Sequence, residues 1–382
     1  MTTETTTVHD AAATSAAPLL RVEGLVKHFP LTQGIVFKKT VGQVRAVDGV
    51  SFTLNAGETL GLVGESGCGK STTGRAIMQL PAPTGGRVLF EGSDLASLSG
   101  QQLREVRTRL QFIFQDPISS LNPRRKVKDI VAEPLRIWKR GSDAEQKARV
   151  AEVLDAVGLD PAVSAEKRPH QFSGGQCQRI SIARALVLDP ALIICDEPVS
   201  ALDVSVQAQV INLLEDLKER YGLTLVFIAH DLAVVKNISD RVAVMYLGKL
   251  CEVGPSDELY RQPLHPYTNL LLASIPVPDP EAEALPHEVV GEPPSPVLPP
   301  SGCRFHPRCP NAQDRCSAEE PKLREMGEGH FVACHFPVEG VVSWDETVLA
   351  RQVTTDGRAH DARDEPITVG GNATTPVPDS GG

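Results

Sequence analysis

No apolar run in this 382-residue chain approaches the roughly 20 residues a membrane-crossing helix needs, so membrane contact is expected to come through a partner. The opening stretch, MTTETTTVHDAAATSAAP, has neither a basic start nor a hydrophobic centre and is not expected to be a secretory signal. Positive charge is also short. Lys and Arg number 38 against 48 Asp and Glu, a formal net charge of −10, which speaks against a general nucleic-acid binder. Eight cysteines are present, but with no export signal a disulfide framework is not expected, and metal or thiol chemistry is the better reading. Internal repeats and long heptad runs are lacking as well.

What remains is ordinary globular composition, 41% hydrophobic and 23% charged, in a length that suits two or three domains. Residues 1–18 and 338–382 read as disordered termini. Between them, 19–277 alternates strand-like and helix-like segments. Short apolar runs at 59–64 (TLGLVG), 191–197 (ALIICDE) and 223–230 (LTLVFIAH) read as buried strands. Ser142 and Glu145 form a capping box, after which Val150, Val153, Leu154 and Val157 share a helix face that ends at Gly158. Val206, Val210, Leu213, Leu214 and Leu217 make a second stripe. Such alternation implies an α/β fold with a mostly parallel sheet covered on both faces. The span 103–185 has few strand-like runs and reads as an inserted helical subdomain. Residues 278–302 are too proline-dense for helix or central strand and read as a linker.

The stretch GESGCGKS, Gly64 to Ser71, fits the phosphate-loop pattern G-x-x-x-x-G-K-[ST] between a strand and a helical stretch. Glycine lets backbone amides close on phosphate oxygens, and the helix N-terminus adds its positive end. Candidate nucleotide contacts are therefore Gly64, Glu65, Ser66, Gly67, Cys68, Gly69, Lys70, Ser71 and Thr72. Lys70 suits the β- and γ-phosphates, and Ser71 suits Mg²⁺. The strand LIICDE ends in Asp196 and Glu197. Buried carboxylates without a partner are costly. Asp196 fits the acid that organises Mg²⁺, and Glu197 the base that polarises the attacking water.

FSGGQ, Phe172 to Gln176, places two glycines after a serine at the start of another helix, a second anion-binding N-terminus. One nucleotide does not need two such sites from one chain, so each chain is expected to complete the other's site in a head-to-tail dimer. This combination resembles the ATP-binding cassette (ABC) family, over about residues 20–275. The resemblance implies a core sheet with an N-terminal antiparallel β-subdomain and an inserted helical subdomain. It implies that Ser173, Gly174, Gly175 and Gln176 face the partner's phosphates. Gln115 would sense the γ-phosphate and Mg²⁺, Asp203 would belong to the loop that closes the dimer, and His230 would contact the γ-phosphate. Phe29 would stack on adenine, with Phe37 a nearby rival. Cys177 departs from the arginine common after the signature, away from the phosphate contacts.

Further along, PLHPYT resembles the ATPase subunits of dipeptide, oligopeptide or nickel importers. That resemblance implies a related, non-identical ATPase partner, two membrane-spanning permease subunits, an external binding protein, no nucleic acid, and a peripheral place on the cytoplasmic face of the inner membrane. Nickel or other small-solute import stays open beside peptide import, as does a cassette acting on nucleic acid or ribosomes. Cys303, Cys309, Cys316 and Cys334, spaced C-x5-C-x6-C-x17-C within 303–337, lack the paired knuckles of zinc sites and the compact ferredoxin run. Four thiolates still suit a [4Fe–4S] cluster, and sulfur also suits Zn²⁺; some importer ATPases of this kind hold such a cluster. A segment with little core of its own could be held folded by such a crosslink.

Overall fold

A computed structural model describes residues 17–33, 39–275 and 291–338, all within one compact unit, Met1–Trp344. The disorder expected for 1–16 and 339–382, and the linker reading for 278–290, lie outside the described residues.

Among the described residues twelve strands form two sheets: β1 (Leu20–Gln33), β2 (Lys39–Leu54), β3 (Thr59–Val63), β4 (Gly85–Phe90), β5 (Ser93–Asp94), β6 (Leu110–Ile113), β7 (Leu192–Asp196), β8 (Thr224–Ile228), β9 (Arg241–Tyr246), β10 (Lys249–Pro255), β11 (Arg324–Gly327) and β12 (His330–Val332). Four pair antiparallel in the order β2-β1-β4-β5. The other eight run β11-β12-β10-β9-β3-β8-β7-β6, parallel from β9 to β6. The three runs read as buried strands are β3, β7 and β8, and every residue of each is buried. Covering a parallel strand on both faces requires such continuous apolar sequence.

The helical span does form. The capping box at Ser142 and Glu145 opens the helix Asp143–Ala156, which buries Val150, Val153 and Leu154, and Gly158 follows with φ 73°. One strand interrupts that span. Residues 110–113 form β6 and pair with β7, because LQFI supplies the apolar residues an edge position beside β7 needs.

The cysteine segment is tied into the main sheet rather than standing apart. Its β12 pairs with β10 through Glu252–Val332 and Val253–Phe331. Phe305 is 1% exposed and packs against Tyr246 and Tyr267 with ring centroids 5.3 Å away in each case. Before it, the Pro296 carbonyl accepts a hydrogen bond from the Arg45 amide on β2. Glu252, fully buried, accepts from the amides of Leu264 and His265 and pairs with His330 at 2.7 Å, joining PLHPYT to β12. The segment therefore has a core, borrowed from the domain before it.

Candidate functional site

The phosphate loop leaves β3 and enters the helix Lys70–Ile77. Two of its glycines are required by geometry. Gly64 has φ 147°, and a Cβ there would lie 2.1 Å from the Met245 carbonyl oxygen; Gly69 has φ 110°, and a Cβ there would lie 2.0 Å from that of Ala46. A helix leaves its first amides without intrahelical partners, and here the cap is Gly69, with no side chain to satisfy them. Those amides and the helix dipole make an anion site. Lys70, 4% exposed, donates to the carbonyl oxygens of Gly64 at 2.6 Å and Glu65 at 3.0 Å, so its ammonium curls over the loop.

Asp196 ends β7 fully buried, and burial pushes its carboxyl above the usual range. The Ser71 hydroxyl donates to it at 2.5 Å and Arg75 at 3.2 Å, both opposing that shift. Of the three residues read as Mg²⁺ ligands, Ser71 and Asp196 thus touch, whereas Gln115 bonds to Glu197. Glu197, one residue on, has φ 46°, an uncommon conformation for a side chain of its size, held by its amide donating to the Ile228 carbonyl at 2.9 Å. Its Oε2 accepts from Gln115 Nε2 at 3.0 Å and lies 3.5 Å from His230 Nδ1. Glu197 and His230 line one cleft with Ser200, Gln207 and Asp231. Residues from β6, β7, β8 and the loops after them therefore converge at the C-terminal end of the parallel sheet, where open α/β sheets bind ligands.

Not every expected residue joins this cluster. Ser173 caps the helix Gly174–Leu186 and exchanges hydrogen bonds with Gln176, both exposed. Among the described residues no hydrogen bond connects Ser173, Gly174, Gly175 or Gln176 to the phosphate loop. Gly175 instead permits close packing: a Cβ there would come within 2.4 Å of Val206, three residues after exposed Asp203. Buried Cys177 turns toward the Pro169 carbonyl. Phe29 is 38% exposed on β1, with the Lys27 ammonium 5.1 Å from its ring centre. It pairs opposite Val44, two residues before Ala46, which packs on Gly69. Phe37 lies outside the described residues.

Three residues at the site escaped the sequence reading. Arg75 touches Asp196, the Tyr267 hydroxyl accepts from the Glu65 amide at 2.8 Å, and Arg308 donates to both Glu65 carboxylate oxygens at 2.9 and 3.0 Å. Arg75 carried a faint signal, one turn past Ser71 on the same helix. The other two come from 202 and 243 residues away, with no local pattern to reveal them.

Cys303, Cys309, Cys316 and Cys334 line one small cavity with His265, His306 and His335. All four are free thiols. Burial pushes Cys303 and Cys334 up to about 11, and neighbouring thiols of the set add to it. Among the described residues no group of three His, Cys, Asp or Glu side chains is disposed to hold a single metal ion.

Comparison with known proteins agrees with this geometry. Residues 47–200 match the ABC transporter family, and residues 251–316 match the family described as oligopeptide/dipeptide transporter, C-terminal region. The chain is 55% identical to a probable peptide ABC transporter ATP-binding protein, y4tS, of Sinorhizobium fredii, over 83% of this chain and 89% of that one. It is 52% identical to the oligopeptide transport ATP-binding protein AppF of Bacillus subtilis, over 85% and 98%. Among solved structures, an ATP-binding cassette in a dimeric post-hydrolysis state with ADP and Pi superposes with a TM-score of 0.55 at 30% identity, covering 62% of this chain and 98% of that one. On these likenesses the chain belongs to the ATP-hydrolysing, ATP-binding subunits of ABC transporters.

Proposed function

We propose that this ATPase drives uptake of dipeptides or oligopeptides through partner membrane subunits. The observation that carries the reading is the joining of the phosphate loop to a C-terminal region of the oligopeptide/dipeptide transporter type through the Glu65–Arg308 pair. Relatives named as peptide transport ATP-binding proteins support it. Nickel import remains the second reading on the same C-terminal resemblance.

In the proposed cycle the loop residues Gly64 to Thr72 hold the phosphates, with Lys70 on the β- and γ-phosphates, while Phe29 stacks on the base. Ser71, Gln115 and Asp196 fit Mg²⁺, since a hydroxyl, an amide and a carboxylate are hard oxygen ligands and two of them already touch. Bound there, the ion would neutralise charge developing on the transferred phosphoryl. Glu197 takes a proton from the attacking water, and His230 orients the γ-phosphate. Ser173, Gly174, Gly175, Gln176 and Asp203 act on the nucleotide of a second, related ATPase; the exposure of Ser173, Gln176 and Asp203 in the single chain supports this. Two permease subunits and an external binding protein complete the assembly, at the cytoplasmic face of the inner membrane. No helix among the described residues is long and apolar enough to cross a membrane. Affinity purification tests the assignment: membrane subunits should accompany the chain, and ribosomes or nucleic acid in their place would overturn it.

The four cysteines lining one cavity support a [4Fe–4S] cluster there, with Zn²⁺ as the alternative, since thiolate sulfur suits either. The cluster would act as a crosslink between Cys303, Cys309, Cys316 and Cys334. Anaerobically purified protein should be brown, with iron and sulfide near four per chain, and Cys309→Ser should lose most of both. Colourless protein with one zinc per chain would replace the cluster with a zinc crosslink.

A further inference from the structure

We propose that Arg308 is a positioning residue of the nucleotide site, acting through Glu65, so that a residue of the cysteine segment sets the affinity of the phosphate loop for ATP. The inference rests on the loop Gly64–Thr72 being the phosphate site.

Glu65 is anchored at three points. Its amide donates to Tyr267, its carbonyl accepts from Lys70, and its carboxylate receives both terminal nitrogens of Arg308. The Arg308 side chain is only 4% exposed and also donates to the Tyr246 hydroxyl at 3.3 Å. Its guanidinium lies 5.8 Å from the Tyr246 ring centre and 5.9 Å from that of Phe305. A bidentate arginine shielded from water holds a carboxylate in one geometry.

Two consequences follow for the loop. Glycine-rich backbone is costly to order, and fixing Glu65 fixes the carbonyl that positions Lys70 before nucleotide arrives. The second is electrostatic. A carboxylate in the second position of an anion-binding loop repels a polyphosphate, and in a partly desolvated site that repulsion is poorly screened. Arg308 cancels it. Since Arg308 contacts neither Glu197 nor Gln115 among the described interactions, its loss should weaken binding without slowing the chemical step.

The test is titration with a fluorescent ATP analogue, together with kcat and KM for ATP, on the full chain. Arg308→Ala should weaken nucleotide binding and raise KM about tenfold or more, with kcat changed less than about twofold. Adding Glu65→Gln to that variant should restore part of the affinity, because the uncancelled charge is gone while the anchor on the loop stays lost. Arg308→Lys should fall between, and Arg308→Gln serves the same comparison if Arg308→Ala does not fold. Affinity lost but not restored by Glu65→Gln would overturn the proposal in favour of a merely structural role. Unchanged affinity in Arg308→Ala, with binding lost in Lys70→Ala, would overturn it and leave the site assignment standing. Unchanged affinity in Lys70→Ala would remove the site assignment and the proposal with it.

Discussion

Glu197→Gln is expected to lower steady-state ATP turnover by roughly 10²–10⁴-fold, the usual contribution of a positioned general base. Nucleotide binding should survive, because the substitution leaves Lys70, Ser71 and Asp196 in place. Glutamine keeps the size of the side chain and still offers an oxygen to Gln115, so the backbone held at φ 46° need not move. What it loses is basicity toward water. The ATP-bound form should therefore accumulate as a closed pair of cassettes, visible as a rise in mass on adding ATP. Phosphate-release assays decide the matter. Unchanged hydrolysis would take Glu197 out of the catalytic role and turn attention to His230, which lines the same cleft.

The largest expected effect on stability is that of Phe305→Ala. Phe305 is buried against Tyr246, Tyr267 and His265, with centroid separations of 5.3, 5.3 and 5.9 Å. Emptying such a site costs about 3–5 kcal/mol, the lost transfer free energy plus the cavity left behind. The consequence is not confined to the cysteine segment, because Tyr267 also holds the phosphate loop. Thermal melting should shift downward, and limited proteolysis should release the segment after residue 302 first. Phe336→Ala, at a half-buried position on the rim of the cysteine cavity, should cost less. Equal losses for the two variants would contradict the docked arrangement of Phe305.

Much of the candidate site was legible because it is local. The phosphate loop, Asp196 and Glu197 each sit where a strand ends, and strand ends follow from apolar runs closed by glycine or charge. Gln115 and His230 were placed by the order of motifs and do meet Glu197. The strand β6 was missed because four residues between helical patterns carry no period long enough to identify. The role of the cysteine segment was half visible. Its cysteines were read as a set, and they line one cavity. Its attachment was not, since Arg304–Asp48, Arg308–Glu65 and His330–Glu252 join residues 256, 243 and 78 positions apart. Ion pairs at such separations leave no periodic trace in one sequence. Ser173 to Gln176 lie at the opposite extreme, plain in sequence yet joined to the phosphate loop by no hydrogen bond among the described residues.

The most direct measurement is uptake of a labelled oligopeptide by vesicles containing this chain with the proposed permease subunits and partner ATPase, with ATP supplied on the side of the cassettes. Uptake is expected to require ATP and the external binding protein, and to vanish in Lys70→Ala and Glu197→Gln. Peptide uptake that persists in both variants, or ATP hydrolysis without uptake of any peptide, would contradict the account.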